Sequence, residues 1–246
     1  MNYDIILSFT SWKGRIYDAS FLYVLLSMLN QKTSFKYKVV LVLSTDEFKN
    51  KEKDLPPKLV ELDELCDWFE ILWTKENTKA YKKYFPTRRA YPNENICALD
   101  DDSPLHSDFV ERFCKLLKDN PGKMIIGTHH FQGNTSKTIR CVRFGAACFR
   151  PDSLYDLDEH FGRKYFLDHD DEYFALLSVL AGAHSVRVDI HRYIQVDRFQ
   201  QNHRLATVGQ LRYNNLRSLW DKCFRENPEL RDLYNKNKNI KNFKAN

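Results

Sequence analysis

This chain has little of what builds secreted, membrane-spanning or metal-stapled proteins. Its 246 residues include six cysteines, Cys66, Cys97, Cys114, Cys141, Cys148 and Cys223. They form no close CxxC pair and several sit inside apolar segments, so they read as buried thiols, not as a disulfide framework or a zinc site. No uncharged apolar stretch approaches the roughly 20 residues a spanning helix needs. The start, MNYDIILSFTSWKGR, puts Asp4 in its short apolar run and has no basic lead, so no secretory leader is read and the expected compartment is the cytoplasm. There is no internal repeat, no long linker, and no GxGxxG after the first apolar run, which excludes a dinucleotide fingerprint. The net charge of +5 is small for this length, and no nucleic-acid partner is expected. Only the stretch from Lys236 to Asn246, with four lysines and no acid, is one-sided. It reads either as a solvated tail or as a contact with the inner face of a membrane.

What the chain does have is Asp100, Asp101 and Asp102 directly after the apolar run Ile96–Leu99. Carboxylates are rarely buried unpaired, and three in a row repel one another unless something positive gathers them. A divalent cation, Mg²⁺ or Mn²⁺, together with phosphates is the chemistry that uses such a cluster. An acidic cap or turn before Pro104 is the plainer alternative.

The first two thirds alternate strand-like and helical patterns. Strands are predicted at Tyr3–Phe9, Tyr37–Leu43, Phe69–Trp73, Glu94–Leu99 and Lys123–Gly127, with later ones at Thr138–Phe149 and Ser185–Ile190. Helices are predicted at Ala19–Leu29, Leu55–Leu65, Thr78–Ala90 with a bend at Pro86, from His106 or Ser107 to Leu117, and at Asp170–Leu180. One or two more are expected within Asn214–Tyr234. This is an α/β pattern with a mainly parallel sheet covered on both faces. Ligands collect beyond the carboxyl ends of such strands, where both the aspartates and the loop Thr10–Arg15 fall. The expected layout is one domain over 1–195 with a helical extension and basic tail over 196–246.

Taken together, SFTSWKGRI at 8–16, LPPKLVEL at 55–62, NTKAYKKYFPTRRAYPNENICALDDDSPLHSDFVE at 77–111, GAACFRPDSL at 145–154 and DHDDEYFALLSVLAG at 168–182 resemble bacterial glycosyltransferases of the GT-A fold, in particular a group of surface-polysaccharide or lipopolysaccharide sugar transferases. The resemblance covers about residues 3–190. It implies a nucleotide-sugar donor, UDP- or GDP-linked, a DxD metal site for Mn²⁺ or Mg²⁺, and transfer to a hydroxyl of a saccharide or lipid-linked glycan.

By that resemblance Asp100 faces the ribose or helps order the metal, Asp102 is the direct ligand, and Asp101 stands between them with a less defined donor-side role. Residues two apart on an extended segment point to one side, which agrees with that division. Thr10 and Ser11 can hydrogen-bond to base or ribose, and Arg15 can pair with phosphate or with the acidic cluster. Lys82 or Lys83 is a donor-side contact or part of a solvated basic face. The resemblance places a base that deprotonates the acceptor at Asp170 or, preferably, Asp171; helix capping is the alternative for either. His191 is a candidate metal ligand, with a plain surface residue as the alternative, and Asp189 either orients it or serves elsewhere. His129 and His130 are candidates either for lining the acceptor cleft or for binding metal, and Gly145, Ala146 and Ala147 for close approach of a sugar or simply for dense packing. A nucleotidyltransferase releasing pyrophosphate, and a binding protein without turnover, remain the competing classes.

Overall fold

The computed structural model describes residues 2–131, 141–188, 216–238 and 243–244. Among these described residues eight strands form one sheet: β1 (Ile5–Thr10), β2 (Tyr37–Ser44), β3 (Phe69–Thr74), β4 (Ile96–Leu99), β5 (Met124–Phe131), β6 (Cys141–Phe149), β7 (His184–Arg187) and β8 (Phe243–Lys244). Their order is β3-β2-β1-β4-β6-β5-β7-β8. Every pairing is parallel except those of β6, which runs against both β4 and β5.

The apolar strands bury both faces, and alternation decides which residue goes where. Ile5, Leu7 and Phe9 of β1, with Val39, Leu41 and Leu43 of β2 and Cys97 and Leu99 of β4, face one layer. That layer holds α1 (Ala19–Leu29), α2 (Pro57–Leu65) and α4 (Phe109–Asp119). Ile6, Val40, Val42, Ile96 and Ala98 face the other. There they meet α3 (Phe85–Ala90), α5 (Glu159–Phe166), α6 (Asp170–Leu180), α7 (Leu216–Glu226) and α8 (Pro228–Asn237). Ser8 also points to this second face, where its hydroxyl lies 2.7 Å from that of Thr87, so a buried polar pair ties β1 to α3.

The second layer is dominated by aromatic rings. Phe85 stacks on Phe174 at 5.8 Å, Tyr84 meets Phe149 edge-on at 5.1 Å, and Phe166 meets Trp220 edge-on at 5.4 Å. Through Trp220, Leu230 and Tyr234 the carboxyl-terminal helices join this core.

Several expectations need correction. Residues 78–90 are not one bent helix: Lys79–Lys83 is a 3₁₀ turn, and α3 begins afterwards at Phe85. Pro86 therefore opens a helix, where its missing N–H costs nothing. The helix expected from His106 or Ser107 starts at Phe109. β5 continues past Gly127, so His129 and His130 lie within it, paired with Arg143 and Val142 of β6. Of the basic tail, Phe243–Lys244 extends the sheet beside β7. α5 had no counterpart in the sequence pattern. No helix among the described residues is long and apolar enough to cross a membrane.

Gly162 in α5 allows this layer to close, because a Cβ there would lie 2.5 Å from the Tyr173 ring and 2.8 Å from that of Tyr81. Gly162→Ala is expected to destabilise the protein by about 1–3 kcal/mol, the usual cost of overpacking, read as a lower urea midpoint. An unchanged midpoint would mean that the rings do not close over α5.

Candidate active site

The carboxyl ends of β1, β2 and β4 lie side by side, and the charged residues converge there. β4 stops at Leu99, and Asp101 and Asp102 form a turn. The extended geometry that would aim Asp100 and Asp102 the same way is therefore absent. Asp100 instead meets Lys83, whose Nζ lies 3.1 Å from its Oδ1 and 2.8 Å from Oδ2 of Asp170. One buried ammonium thus joins the acid after β4 to the acid that opens α6. Burial alone would pull the Lys83 pKa down, but Asp100, Asp170 and Asp171 outweigh it and hold the group well above the ordinary lysine value. The solvated-face reading of Lys83 is excluded, and Asp170 spends its carboxylate on this bridge; α6 has no side-chain cap.

Asp101 turns toward β1. It accepts a hydrogen bond from Ser11 Oγ at 2.6 Å and forms an ion pair with Arg15, whose Nη1 is also 3.7 Å from Asp102 Oδ2. Of the two alternatives for Arg15, the structure realises pairing with the acidic cluster. Burial raises the Asp101 pKa to about 6 against the opposing pull of Arg15 and Ser11. Thr10 donates its hydroxyl to the Val42 carbonyl at 2.7 Å and so stitches β1 to β2. The first helix after the triplet starts at Phe109, which excludes helix capping as the reason for three acids. β6 enters opposite the end of β4, with Ala146 across from Leu99 and Ala147 from Ala98. The small residues singled out in the sequence therefore flank the acids.

Lys82 is 2% exposed, so it too is no surface lysine. Its Nζ lies 3.7 Å from Glu47 Oε2, and burial lowers its pKa despite that partner. Glu47 also accepts from Asn77 Nδ2 at 3.1 Å and from the Lys13 backbone N–H at 3.0 Å. This second hub, after β2, was not found from the sequence. Glu47 and Asn77 sit among other polar residues, in TDEFKNKEKD and KENTK, and only an unpaired buried lysine would have signalled that an acid must stand nearby.

The turns that deliver these groups carry strain. Lys79 and Leu167 have φ of 54° and 53°, a left-handed conformation that non-glycine residues adopt at a cost of roughly 1–3 kcal/mol. Lys79 Nζ contacts Asp168 Oδ2 at 3.0 Å, which links the two turns. Asp171 follows Asp170 in the first turn of α6 and is half-buried. His191 and Asp189 lie outside the described residues.

Among the described residues no three His, Cys, Asp or Glu side chains are gathered to hold a metal. The donor set still suits Mg²⁺ or Mn²⁺, because such ions take one or two carboxylates and complete their shell with water and substrate phosphate. A cavity of ≈ 180 Å³ opens elsewhere, beyond β3, around the Arg89–Glu159 ion pair, and none of these acids lines it.

No family model matches the chain, and no curated protein matches its sequence. Solved structures do match. The sheet and its helical layers are those of a GT-A-like fold. The mannosyltransferase PcManGT from Pyrobaculum calidifontis, solved with GDP-Man and Mn²⁺, superposes with a TM-score of 0.54 at 13% identity, over 96% of this chain and 69% of that one. TarS from S. aureus (residues 1–349) matches with a TM-score of 0.44 at 11% identity, over 74% of this chain. The match spans 56% of that TarS chain, a little over half its length.

Variants at two positions test the electrostatics. Lys83→Met leaves Asp100 and Asp170 without their shared cation and should cost about 3–5 kcal/mol in urea unfolding at neutral pH, with Lys83→Arg losing less. Asp101 keeps its proton in the folded state between about pH 4 and 6, where the unfolded chain has released it, so its contribution to stability falls as pH rises through that window. Asp101→Asn should remove this pH-dependent change of about 3 kcal/mol; parallel stability curves for wild type and variant would refute the buried setting of Asp101.

Proposed function

We propose that this chain is a metal-dependent, inverting glycosyltransferase that moves a sugar from a nucleotide-sugar donor to a hydroxyl of a saccharide or lipid-linked glycan. The observation that carries this reading is the convergence of the acids after β4 and at the start of α6 on Lys83, at the ligand-binding end of a GT-A-like sheet. The donor of PcManGT, GDP-Man with Mn²⁺, supports a nucleotide sugar, UDP- or GDP-linked, as the donor here. The proposed compartment is the cytoplasm.

In this reading Asp102 and Asp100 hold Mn²⁺ or Mg²⁺, which when bound offsets the charge that builds on the departing diphosphate. Ser11 and Arg15 fix Asp101, and through it the turn, so that the two outer carboxylates keep their positions. Lys82, Glu47 and Asn77 form the neighbouring wall of the donor site. Asp170 is held by Lys83 as a positioning group, and Asp171 takes the proton of the acceptor hydroxyl as that oxygen attacks the anomeric carbon opposite the diphosphate. The helix start favours a charged carboxylate there.

A screen of nucleotide sugars with Mn²⁺ or Mg²⁺ tests this directly. Nucleoside diphosphate is expected from one donor, lost on chelation and in Asp102→Ala. Asp171→Asn should lower transfer by about 10²–10⁴-fold, the worth of a general base, with donor binding retained. Release of pyrophosphate would move the chain to the nucleotidyltransferases, and an absence of turnover and of donor binding across the screen would reject the enzyme reading.

A further inference from the structure

Cations of the protein's own already stand at the acids after β4. Lys83 is 8% exposed and reaches Asp100 from inside the protein, its Nζ 3.1 Å from Oδ1, while the Asp100 side chain keeps 34% of its surface open. Arg15 pairs with Asp101 and lies 3.7 Å from Asp102 Oδ2. A carboxylate that shares its charge with an ammonium has less to offer a second cation, and a divalent ion bound beside that ammonium is repelled by it.

Lys83 has a second partner that decides how firmly it holds the first. Its bond to Asp170 is the shorter of the two, 2.8 Å against 3.1 Å, and the Asp170 side chain is only 11% exposed. The 3₁₀ turn that carries Lys83 is itself fixed, with Tyr81 fully buried and Lys82 2% exposed, so the lysine has no route to water. Should Asp100 turn to another cation, Asp170 still neutralises Lys83, and no ammonium is stranded in the interior. Without Asp170 the lysine would depend on Asp100 alone and could not give it up.

We propose that Lys83 is a resident cation that competes with the divalent ion for Asp100, and that Asp170 sets the strength of this competition by offering Lys83 a second partner. The acids are then poor ligands for an ion alone. In combination with the function proposed above, on which this step rests, the charge of the donor diphosphate offsets Lys83, so that ion and donor enter together. Once Asp100 is taken, Lys83 belongs to Asp170, and the loading of the donor side is felt at the start of α6, next to Asp171. By linkage the effect runs both ways.

The test is a titration of the full chain with Mn²⁺ in the absence of nucleotide, free ion being counted by electron paramagnetic resonance. Lys83→Met is expected to bind Mn²⁺ about tenfold or more tightly than wild type, with Lys83→Arg close to wild type. A lysine that only props the site open predicts the opposite sign, because its loss would scatter the ligands; equal or weaker binding by Lys83→Met therefore overturns the proposal. Asp170→Asn retains the Lys83–Asp100 pair, serves if Lys83→Met does not fold, and should bind Mn²⁺ severalfold more weakly; unchanged or tighter binding refutes the role of Asp170. Lys79→Met and Asp168→Asn remove the same charges from the neighbouring ion pair and should leave the affinity as it is. Equal shifts in these two would reveal a general effect of charge and reject the competition. Nucleotide-sugar turnover is measured separately. Tighter Mn²⁺ binding by Lys83→Met in a chain without turnover keeps this role of Lys83 and removes the proposed activity, and turnover by wild type with no gain of affinity in Lys83→Met does the reverse.

Discussion

A buried lysine between two carboxylates organises this end of the molecule. Lys83 stands inside the protein, where an unpaired ammonium is costly, and it is tolerated because Asp100 and Asp170 both reach it. The two acids are far apart in sequence, one leaving β4 and the other opening α6. Fixing Lys83 therefore fixes the distance between the halves of the site. Such bridges add little net stability compared with apolar packing, but removing one member leaves an uncompensated charge. The arrangement is consequently specific: the elements that carry these three residues can shift only together.

The 3₁₀ turn Lys79–Lys83 makes the bridge possible. In an α-helix Lys79 and Lys83 would lie on one face and repel. The tighter turn separates them, sending Lys79 to Asp168, Lys82 to Glu47 and Lys83 to Asp100 and Asp170. Tyr81 goes into the aromatic layer beside Tyr173 and Phe174, where burial pushes its hydroxyl pKa up. One short segment thus anchors the apolar core and supplies four acids with cations. The left-handed Lys79 that begins it is part of the cost of that geometry.

Elements with a complete local signature were legible in the sequence. Ala19–Leu29 and Asp170–Leu180 end where their patterns end, and the strands up to β4 lie within a residue or two of expectation. α5 was not legible, because Glu159–Phe166 combines charges with Gly162 and looks like a loop. Its helix depends on a capping bond from the Phe161 N–H to Asp158 and on a ring, Tyr173, that needs the glycine's empty space. β8 was hidden in the same way: two residues of a lysine-rich tail become a strand because β7 offers them an edge. At the site, adjacency made the acid triplet conspicuous, whereas Glu47 and Asn77 gain their importance only from Lys82, which folding brings to them.

The three aspartates cannot act alike, because the chain leaves the sheet between the first and the second. Asp100 is still aligned with β4 and meets Lys83; Asp101 folds back to Ser11 and Arg15; Asp102 sees Arg15 only from 3.7 Å, beyond hydrogen-bond reach. In these contacts two cationic side chains, Lys83 and Arg15, face four carboxylates once Asp170 is included. Burial, more than its acidic neighbours, raises the pKa of Asp101, so it keeps a proton more readily than a solvated carboxylate would. The cluster lies at the end of the parallel strands, next to the small residues of β6. Carboxylates draw a divalent ion, and such an ion lets an anionic diphosphate approach them, which is the argument for the proposed reading of the middle aspartate as the anchor of the turn and the outer two as the pair that meets the ion.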